Sequence, residues 1–532
     1  MPDFQITPEL SPQRGSMSID PASSSVAELR QAMADGRLTA TALTQHFLER
    51  IEELNPALHA VITVNHDAIA EAATSDEAWG SGQPRGPLEG IPVLVKDNVQ
   101  VAGMPTTAGS PALLPVCPPD AFIVSRLRAA GAVILAKANL SEWANFRSTH
   151  SSSGWSSLGG QAANPYALDR SPSGSSSGSA AGVSAGLAPL AVGTETDGSI
   201  VSPSSACGVV GVKPTAGLVS RTGLVPLSPV QDTAGPMAKS VADAAAMLSV
   251  LAAADPDDAV SDLPAHGATD YTQFLDPAAL EGARIGVWRA ATARADSATK
   301  ELLDAAVGTL RSLGAKVTDP VDLPDVEKIT VPEFDALYYE FKYGINAYLK
   351  YLATLESRAA DIPGSLAGLI EFNERNAAWV LCRFGQEIFH AAQATTGNLA
   401  DPDYLELRGV ATRLAVASLE TPTAEHKLDA IISLTANPAW LTDYILGDHS
   451  VFGASRPAAV SGWPAISVPF GHVRGLPVGV SLVGPRWSEP RLLSIAYAFE
   501  QATAARRQPS LLPTLPPPRP RRANLPRPRA GG

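Results

Sequence analysis

The sequence predicts an α/β fold in which a large, mixed and mostly parallel twisted sheet is covered by helices on both faces. Strand-like and helix-like segments alternate along much of the chain. Such alternation is typical of a largely parallel sheet with helical crossovers. The 532 residues are 45% hydrophobic and 17% charged, an ordinary composition for a globular protein with a large core.

The first half of the chain carries most of this alternation. "SVAELRQAMADGRL" predicts a helix that ends near Gly36, and "TATALTQHFLERIEEL" predicts an amphipathic helix with apolar residues at i, i+3 and i+4. Two apolar segments, "GIPVLVKDNV" and "AVILAK", predict buried strands on either side of a helix, "DAFIVSRLRAAG". "LSEWANF" then predicts the start of a further helix.

The second half predicts a helical elaboration followed by a return to the sheet. The segment 285–430 opens with one strand, "ARIGVWR", and is then mainly helical. After it, "PAISVPFG" and "PVGVSLVG" predict two strands joined by a Gly-containing turn. "EPRLLSIAYAFEQAT" predicts a closing helix.

Both ends of the chain lack the patterns that build a core. Residues 1–24 contain Pro, Ser and Gln without periodicity, and residues 506–532 form a basic, proline-rich stretch. A composition of the second kind does not bury enough apolar surface to fold. We therefore expect a flexible leader at 1–24, a single domain at 25–505 and a disordered tail at 506–532.

The composition disfavours several classes of function. The net charge of −13 disfavours nucleic acid as the main partner. We find no secretory signal, and no stretch of about 18 strongly apolar residues predicts a membrane span. Three scattered cysteines predict neither a disulfide framework nor a zinc site. So few cysteines fit a reducing, cytoplasmic location. We find no phosphate-binding loop and no metal motif, and we expect no cofactor and no metal. We expect a monomer or homodimer.

A serine- and glycine-rich stretch, "SPSGSSSGSAAG" at 171–182, has two interpretations from composition and motif. Composition alone predicts a flexible linker. Gly174–Gly178 also matches G-x-S-x-G, the nucleophile elbow of α/β-hydrolases, but no strand precedes it and no acid and histidine follow in a triad context. Another match, S-x-x-K at Ser297–Lys300, lacks its companion motifs and is discarded.

A second serine lies in a better setting for catalysis. In "GTETDGSI", Ser199 follows Gly198 in a polar tight turn. Such a turn exposes a hydroxyl and directs successive backbone N–H groups at a developing oxyanion. No histidine is near Ser199 in the sequence, so a lysine is the candidate for the base that activates it. Lys96 ends the apolar strand "IPVLVK", where burial lowers the pKa of an amine and favours its neutral form.

These stretches resemble the amidase signature family of serine amidohydrolases. The resemblance is carried by "GIPVLVKDN", "SPSGSSSGSAAG" and "GTETDGSIVSPSSACGVVGVKPT". It implies the amidase signature fold and a Ser–cis-Ser–Lys triad, with Ser199 as nucleophile, Ser175 as relay serine on a cis peptide bond and Lys96 as base. It also implies an oxyanion hole of backbone N–H groups, those of Thr196, Asp197, Gly198 and Ser199.

The resemblance extends from about residue 25 to residue 503 and is greatest to bacterial peptide amidases. It implies hydrolysis of the C-terminal amides of peptides or of related small amides, with release of ammonia through an acyl-enzyme. The alternatives are an aryl acylamidase, a carbamate or ester hydrolase, the glutamine-hydrolysing part of an amidotransferase and a non-catalytic binding protein. Where many family members have Gly-Gly-Ser-Ile-Arg, this chain has Asp197-Gly198-Ser199-Ile200-Val201, and Ser177 stands where Gly is common.

Other polar residues are assigned lesser roles. His150 and Ser176 are candidates for substrate contacts. Glu195 and Asp197 flank the turn at Ser199 and are expected to brace it through hydrogen bonds, not to act as acid or base. Asp232 is likewise expected to be structural. The remaining candidates, three aromatic residues and one cysteine, are expected in the core: Trp143, Phe146, Trp155 and Cys207.

Overall fold

A computed structural model describes residues 19–261, 270–355 and 362–516. An eleven-stranded sheet runs through these residues, in the order β1-β3-β2-β6-β8-β7-β12-β13-β11-β9-β10, and β4 and β5 form a separate two-stranded ribbon. The strands are β1 Val61–Val64, β2 Pro92–Lys96, β3 Val133–Ala138, β4 Trp155–Ser156, β5 Gly160–Gln161, β6 Leu190–Glu195, β7 Val210–Lys213, β8 Thr233–Ala238, β9 Arg284–Val287, β10 Lys316–Thr318, β11 Ala430–Leu434, β12 Ala465–Val473 and β13 Leu476–Val483.

Helices cover both faces of this sheet, which confirms the predicted α/β class. The described α-helices are α1 Val26–Ala34, α2 Ala40–Leu58, α3 Ala68–Gly80, α4 Phe122–Ala129, α5 Ser177–Ala185, α6 Val201–Cys207, α7 Val241–Leu251, α8 Ser297–Ser312, α9 Thr330–Leu352, α10 Leu366–Arg375, α11 Ala377–Val380, α12 Glu387–Ala394, α13 Pro402–His426, α14 Arg456–Ser461 and α15 Glu489–Thr503. Within the described ranges, none of them combines the length and apolar character needed to cross a bilayer.

The strand pairing is mixed, with parallel strands towards the two sides of the sheet. Parallel pairs join β3, β2 and β6, and also β11, β9 and β10. The other neighbouring strands are antiparallel, because β12 and β13 form a long hairpin and β8 returns between β6 and β7. The parallel group at β2 and β6 matters most for the site, since both strands deliver polar residues at their carboxyl ends.

The serine-glycine stretch at 171–182 is buried structure, not a linker. It leads into α5, all of whose residues are buried and which packs against β2, β3 and β6. A Cβ placed on Gly178 would lie 2.2 Å from the carbonyl oxygen of Ala60 and 2.6 Å from the amide nitrogen of Asn139. Small residues therefore let this helix approach neighbouring backbone more closely than any side chain would allow.

Two predicted elements differ from the structure. "LSEWANF" does not start an α-helix: Glu142–Asn145 is a 3₁₀ turn with left-handed backbone at Trp143 (φ 52°) and Ala144 (φ 56°). The reason is tertiary, since the Trp143 amide donates to the carbonyl of Ala108 and the buried indole packs edge-on against Phe389. Local propensity does not register such contacts.

The chain ends also differ from expectation where they are described. Of the predicted leader, 1–18 lies outside the described residues, but Ala22 is buried. Of the predicted tail, 517–532 lies outside the described residues, whereas 506–516 packs on the body: Leu511 donates to the carbonyl of Pro165 at 2.9 Å, and Leu168 donates to that of Leu512 at 2.8 Å. These contacts extend past the expected domain boundary at 505.

Candidate active site

Lys96 is the last residue of a strand that is buried from end to end. The strand β2 lies between β3 and β6, and Lys96 itself is 0% exposed. Its Nζ lies 2.8 Å from the Oγ of Ser175 and 3.0 Å from that of Ser176. It also lies 2.9 Å from the Oγ1 of Thr194 and 3.1 Å from its carbonyl oxygen. Hydroxyl and carbonyl oxygens thus surround the amine.

The surroundings of Lys96 favour an uncharged amine. Burial lowers its pKa from 10.5 to about 7, and the carboxylates of Glu195 and Asp232 oppose part of that effect. Among the described residues, no carboxylate lies within ion-pair distance of the Nζ. The neighbouring Lys137, by contrast, is paired with Asp97 at 2.8 Å. A neutral amine retains a lone pair that accepts a proton.

Ser175 and Ser176 enter the site just before α5. The peptide bond between Gly174 and Ser175 is cis, and the Ser175 carbonyl accepts from the amide of Ser141 at 3.1 Å. The Ser176 hydroxyl donates to the carbonyl of Thr194 at 3.0 Å and accepts from its amide at 3.2 Å. That hydroxyl is buried and its hydrogen-bond partners are Lys96 and Thr194, and the contact of Ser176 with substrate stays a prediction.

Ser199 lies in the turn between the end of β6 and the start of α6. It is 9% exposed, and its carbonyl accepts from the amide of Ser176 at 3.1 Å, which links the turn to a hydrogen-bond partner of Lys96. Gly198 adopts φ 81°, a conformation that favours glycine. In the described part of the chain, the hydroxyls of Ser175 and Ser199 are not hydrogen-bonded to each other.

Several backbone N–H groups of this turn have no hydrogen-bond acceptor among the described residues. Glu195 accepts from the amides of Ile200 at 2.7 Å and Val201 at 3.0 Å through one carboxylate oxygen. The amides that precede them, those of Asp197, Gly198 and Ser199, donate to no acceptor within the described residues. Successive free N–H groups in a turn are able to bind an oxygen that gains negative charge.

Buried carboxylates brace this turn. Glu195 has its pKa raised by burial, an effect that nearby Lys213 opposes. Asp232 accepts from the hydroxyl of Thr196 at 2.6 Å and from the amides of Leu227 and Ser228 at 2.7 and 2.9 Å, and burial raises its pKa too. These hydrogen bonds agree with the bracing expected of Glu195 and with the structural role expected of Asp232.

A polar cleft opens beside the turn. It has a volume of about 300 Å³ and includes Gly174, Asp197 and Ser202 in its lining, so it reaches both serine segments. A smaller cavity next to it is bordered by Ser175 and Thr196. Within residues 19–261, 270–355 and 362–516, no group of three or more His, Cys, Asp and Glu side chains is placed to hold a metal ion.

The remaining candidates lie in the core as expected, except for His150. The His150 side chain is 66% exposed and lines neither cavity, so the predicted substrate contact has no geometric support. Cys207 is 0% exposed in the main core, as expected. Trp143 and Phe146 pack in an aromatic cluster around α9, and Trp155 is buried against Phe384.

Sequence reasoning missed residues that contact the turn from distant segments. It also missed Thr194, which lies beside the turn itself, in the sequence "GTETDGS". Gln231 and Arg456 contact the turn, and Glu333 contacts both of them. These three residues carry no sequence signal, because they come from three separate parts of the chain.

Comparison with known proteins adds an independent line of evidence. The family model described as Amidase matches residues 42–493. The chain is 40% identical to a probable amidase of Arabidopsis thaliana over 502 residues, covering 92% of this chain and 91% of that protein. It is 36% identical over 504 residues to one of the subunits of glutamyl-tRNA(Gln) amidotransferase from a Cyanothece species, covering 90% and 98%. The solved peptide amidase of Stenotrophomonas maltophilia is 47% identical, with a TM-score of 0.87 over 92% of this chain and 99% of that one.

Proposed function

This chain belongs to the amidase family and is a serine amidohydrolase acting on amide C–N bonds, and we propose that it cleaves linear carboxamides, chiefly the C-terminal amides of peptides. The products are a carboxylic acid and ammonia. The proposed catalytic residues are Ser199 as nucleophile, Ser175 as proton relay and Lys96 as general base.

In the first half of the reaction, protons move towards the lysine. Neutral Lys96 accepts the proton of the Ser175 hydroxyl while Ser175 accepts that of Ser199. The Ser199 Oγ bonds to the amide carbon, and the carbonyl oxygen becomes an anion held by the N–H groups of the turn at 196–199. The proton then returns through Ser175 to the amide nitrogen, the C–N bond breaks and ammonia leaves.

In the second half, water replaces ammonia. It gives a proton to the same relay, and its oxygen bonds to the acyl carbon of the ester on Ser199. The proton then returns through Ser175 to the Ser199 oxygen as the bond from that oxygen to the acyl carbon breaks, and the acid leaves. Protonation of the leaving nitrogen is essential because an amide nitrogen leaves poorly as an anion. The relay requires a hydrogen bond between the Ser175 and Ser199 hydroxyls, and rotation about the Cα–Cβ bond of either serine moves its oxygen. Catalytic hydrogen bonds in free enzymes often tighten only when substrate binds.

One observation carries this proposal: a wholly buried lysine, without a carboxylate partner among the described residues, has its Nζ 2.8 Å from the hydroxyl of Ser175. A structural lysine in a core is expected to have a counter-ion, as Lys137 has in Asp97. The pKa of about 7 makes Lys96 a base near neutral pH, where general bases are most effective.

The choice of peptide amides is supported by similarity and by the cleft. The solved peptide amidase shares 47% of its residues with this chain, and a polar cleft suits an extended peptide backbone better than an aromatic anilide. Aryl acylamidase, carbamate hydrolase and ester hydrolase use the same acyl-enzyme chemistry. The 36% identity to part of an amidotransferase favours glutamine hydrolysis as a second candidate.

A substrate panel with matched variants tests the proposal. Purified enzyme is assayed for amine release from capped peptide amides, amino-acid amides, anilides, carbamates and glutamine. Peptide amides are expected to give the highest kcat/KM, and Ser199→Ala or Lys96→Ala to lower it by about 10⁴-fold or more. Ser204→Ala is the control, because its buried hydroxyl on α6 donates back to the Ile200 carbonyl at 2.7 Å.

Two results would contradict the proposal. Near-normal amide hydrolysis by the folded Ser199→Ala protein would remove the proposed nucleophile. A preference for glutamine over every peptide amide would assign the chain to the second candidate.

A further inference from the structure

Asp197 places a carboxylate in the turn that carries Ser199, at the edge of the polar cleft. Ser455 and Arg456, at the start of α14, both contact this carboxylate. Its Oδ1 accepts from the hydroxyl of Ser455 at 2.6 Å, and its Oδ2 lies 3.4 Å from the Nε of Arg456. Asp197 lines the cleft itself, so a charge on it lies beside the place where a substrate carbonyl would become an anion.

Arg456 is itself fixed by the helical elaboration. Its Nε donates to Glu333 at 2.8 Å and its guanidinium donates to the hydroxyl of Thr330 at 2.8 Å, both residues being in the first turn of α9. Burial, reinforced by Asp197, raises the pKa of Glu333 to about 7, and Arg456 opposes that effect. The guanidinium thus lies between two carboxylates, one on the turn and one on the helix.

A second bridge joins the same helix to the turn. The side-chain amide of Gln231 donates to the carbonyl of Thr196 at 3.1 Å and to Glu333 at 3.0 Å. Arg408 of α13 donates to the amide oxygen of Gln231 at 2.5 Å and to Glu340 of α9 at 2.7 Å. The backbone of the turn and the charge of Asp197 are therefore both held in place relative to α9.

We propose that Arg456, Gln231 and Glu333, called here the positioning network, hold the oxyanion turn in its working shape and that Arg456 offsets the charge of Asp197 during catalysis. The proposal rests on the proposed function. Without Arg456, the carboxylate of Asp197 is uncompensated next to the forming oxyanion, and the transition state is destabilised more than the neutral ground state. The network also gives the helical elaboration a role in the reaction.

The test compares three single variants with the wild-type enzyme on a capped peptide amide. Arg456→Met is expected to lower kcat by about 10- to 100-fold with KM changed less than about threefold, because the lost effect acts on the transition state. Arg456→Lys retains a charge near Asp197 and should recover part of kcat. Arg289→Met is the matched control: Arg289 also bridges two carboxylates, Asp304 and Asp319, and is 37% exposed against 39% for Arg456.

A double variant separates offset of charge from simple support of the fold. Adding Asp197→Asn to Arg456→Met removes the uncompensated carboxylate, so kcat should rise above that of Arg456→Met alone. If Arg456 only supports the fold, the second substitution should lower kcat further, and the urea midpoint of the double variant should fall together with kcat.

Several results would overturn the inference. One is a kcat for Arg456→Met equal to that of Arg289→Met. Another is an effect of Arg456→Met confined to KM, which would make Arg456 a substrate-binding residue. A third is a kcat for the double variant no higher than that of Arg456→Met. These outcomes are distinct from failure of the proposed function, which is measured with Ser199→Ala in the same assay.

Discussion

The protonation state of Lys96 predicts how activity depends on pH. With a pKa of about 7, about 1% of Lys96 is neutral at pH 5 and about 99% at pH 9. An ordinary lysine with a pKa of 10.5 would be only about 0.03% neutral at pH 7. Burial therefore raises the neutral fraction of the lysine at pH 7 by about a thousandfold. We expect kcat/KM to rise about tenfold per pH unit below the midpoint near pH 7 and to level off above pH 8.

The assay measures kcat/KM from pH 5 to pH 9 at constant ionic strength. The substrate is an N-acetylated peptide amide without ionisable side chains, so that only enzyme groups titrate. Enzyme held at pH 5 and returned to pH 8 must regain full activity, which excludes irreversible unfolding. Circular dichroism at each pH checks the fold.

Two variants assign the midpoint to Lys96. Glu195→Gln removes a charge that raises the pKa of Lys96 and should shift the midpoint to lower pH. Glu333→Gln removes another nearby group with a pKa of about 7 and should leave the acid limb and its slope unchanged. A flat profile from pH 5 to pH 8, a midpoint that rises in Glu195→Gln, or loss of the acid limb in Glu333→Gln would refute the reasoning.

Three further predictions concern stability. Arg147→Met should lower the free energy of unfolding in urea by about 3 to 5 kcal/mol, because Glu142 stays buried without its partner, whereas Arg37→Met at an exposed ion pair should leave the urea midpoint unchanged. Gly178→Ala should lower the melting temperature or prevent folding, since its Cβ would lie 2.2 Å from a backbone oxygen. Gly308→Ala on α8, whose Cβ meets nothing within 4 Å, should instead add about 0.5 to 1 kcal/mol, and equal effects of the two alanines would contradict the packing described for α5.

Lys96 and Ser199 could be anticipated from the sequence because each lies in a local pattern. Lys96 ends an apolar strand, and Ser199 follows a glycine in a polar turn after another strand. Strands that pair in parallel end at the same edge, so their final residues meet there. Glu195 and Asp197 were expected to brace the turn and Asp232 to be structural, and each of the three accepts hydrogen bonds in the structure.

The rest of the site could not be anticipated because it depends on contacts between distant segments. Arg456 and Glu333 are separated by 123 residues and meet only after the helical elaboration folds back. The left-handed turn at Trp143 is likewise set by packing against Phe389. His150 lies between two site segments in the sequence, but its side chain is exposed to solvent.

The most direct test of the account is the site and rate of labelling by a fluorophosphonate, a reagent that reacts with activated serines. Mass spectrometry of the digested protein should find the adduct on Ser199, and the labelling rate should fall by at least about 10³-fold in Lys96→Met. An adduct on another residue, or an unchanged rate in the folded Lys96→Met protein, would contradict the claim that a buried neutral lysine activates Ser199.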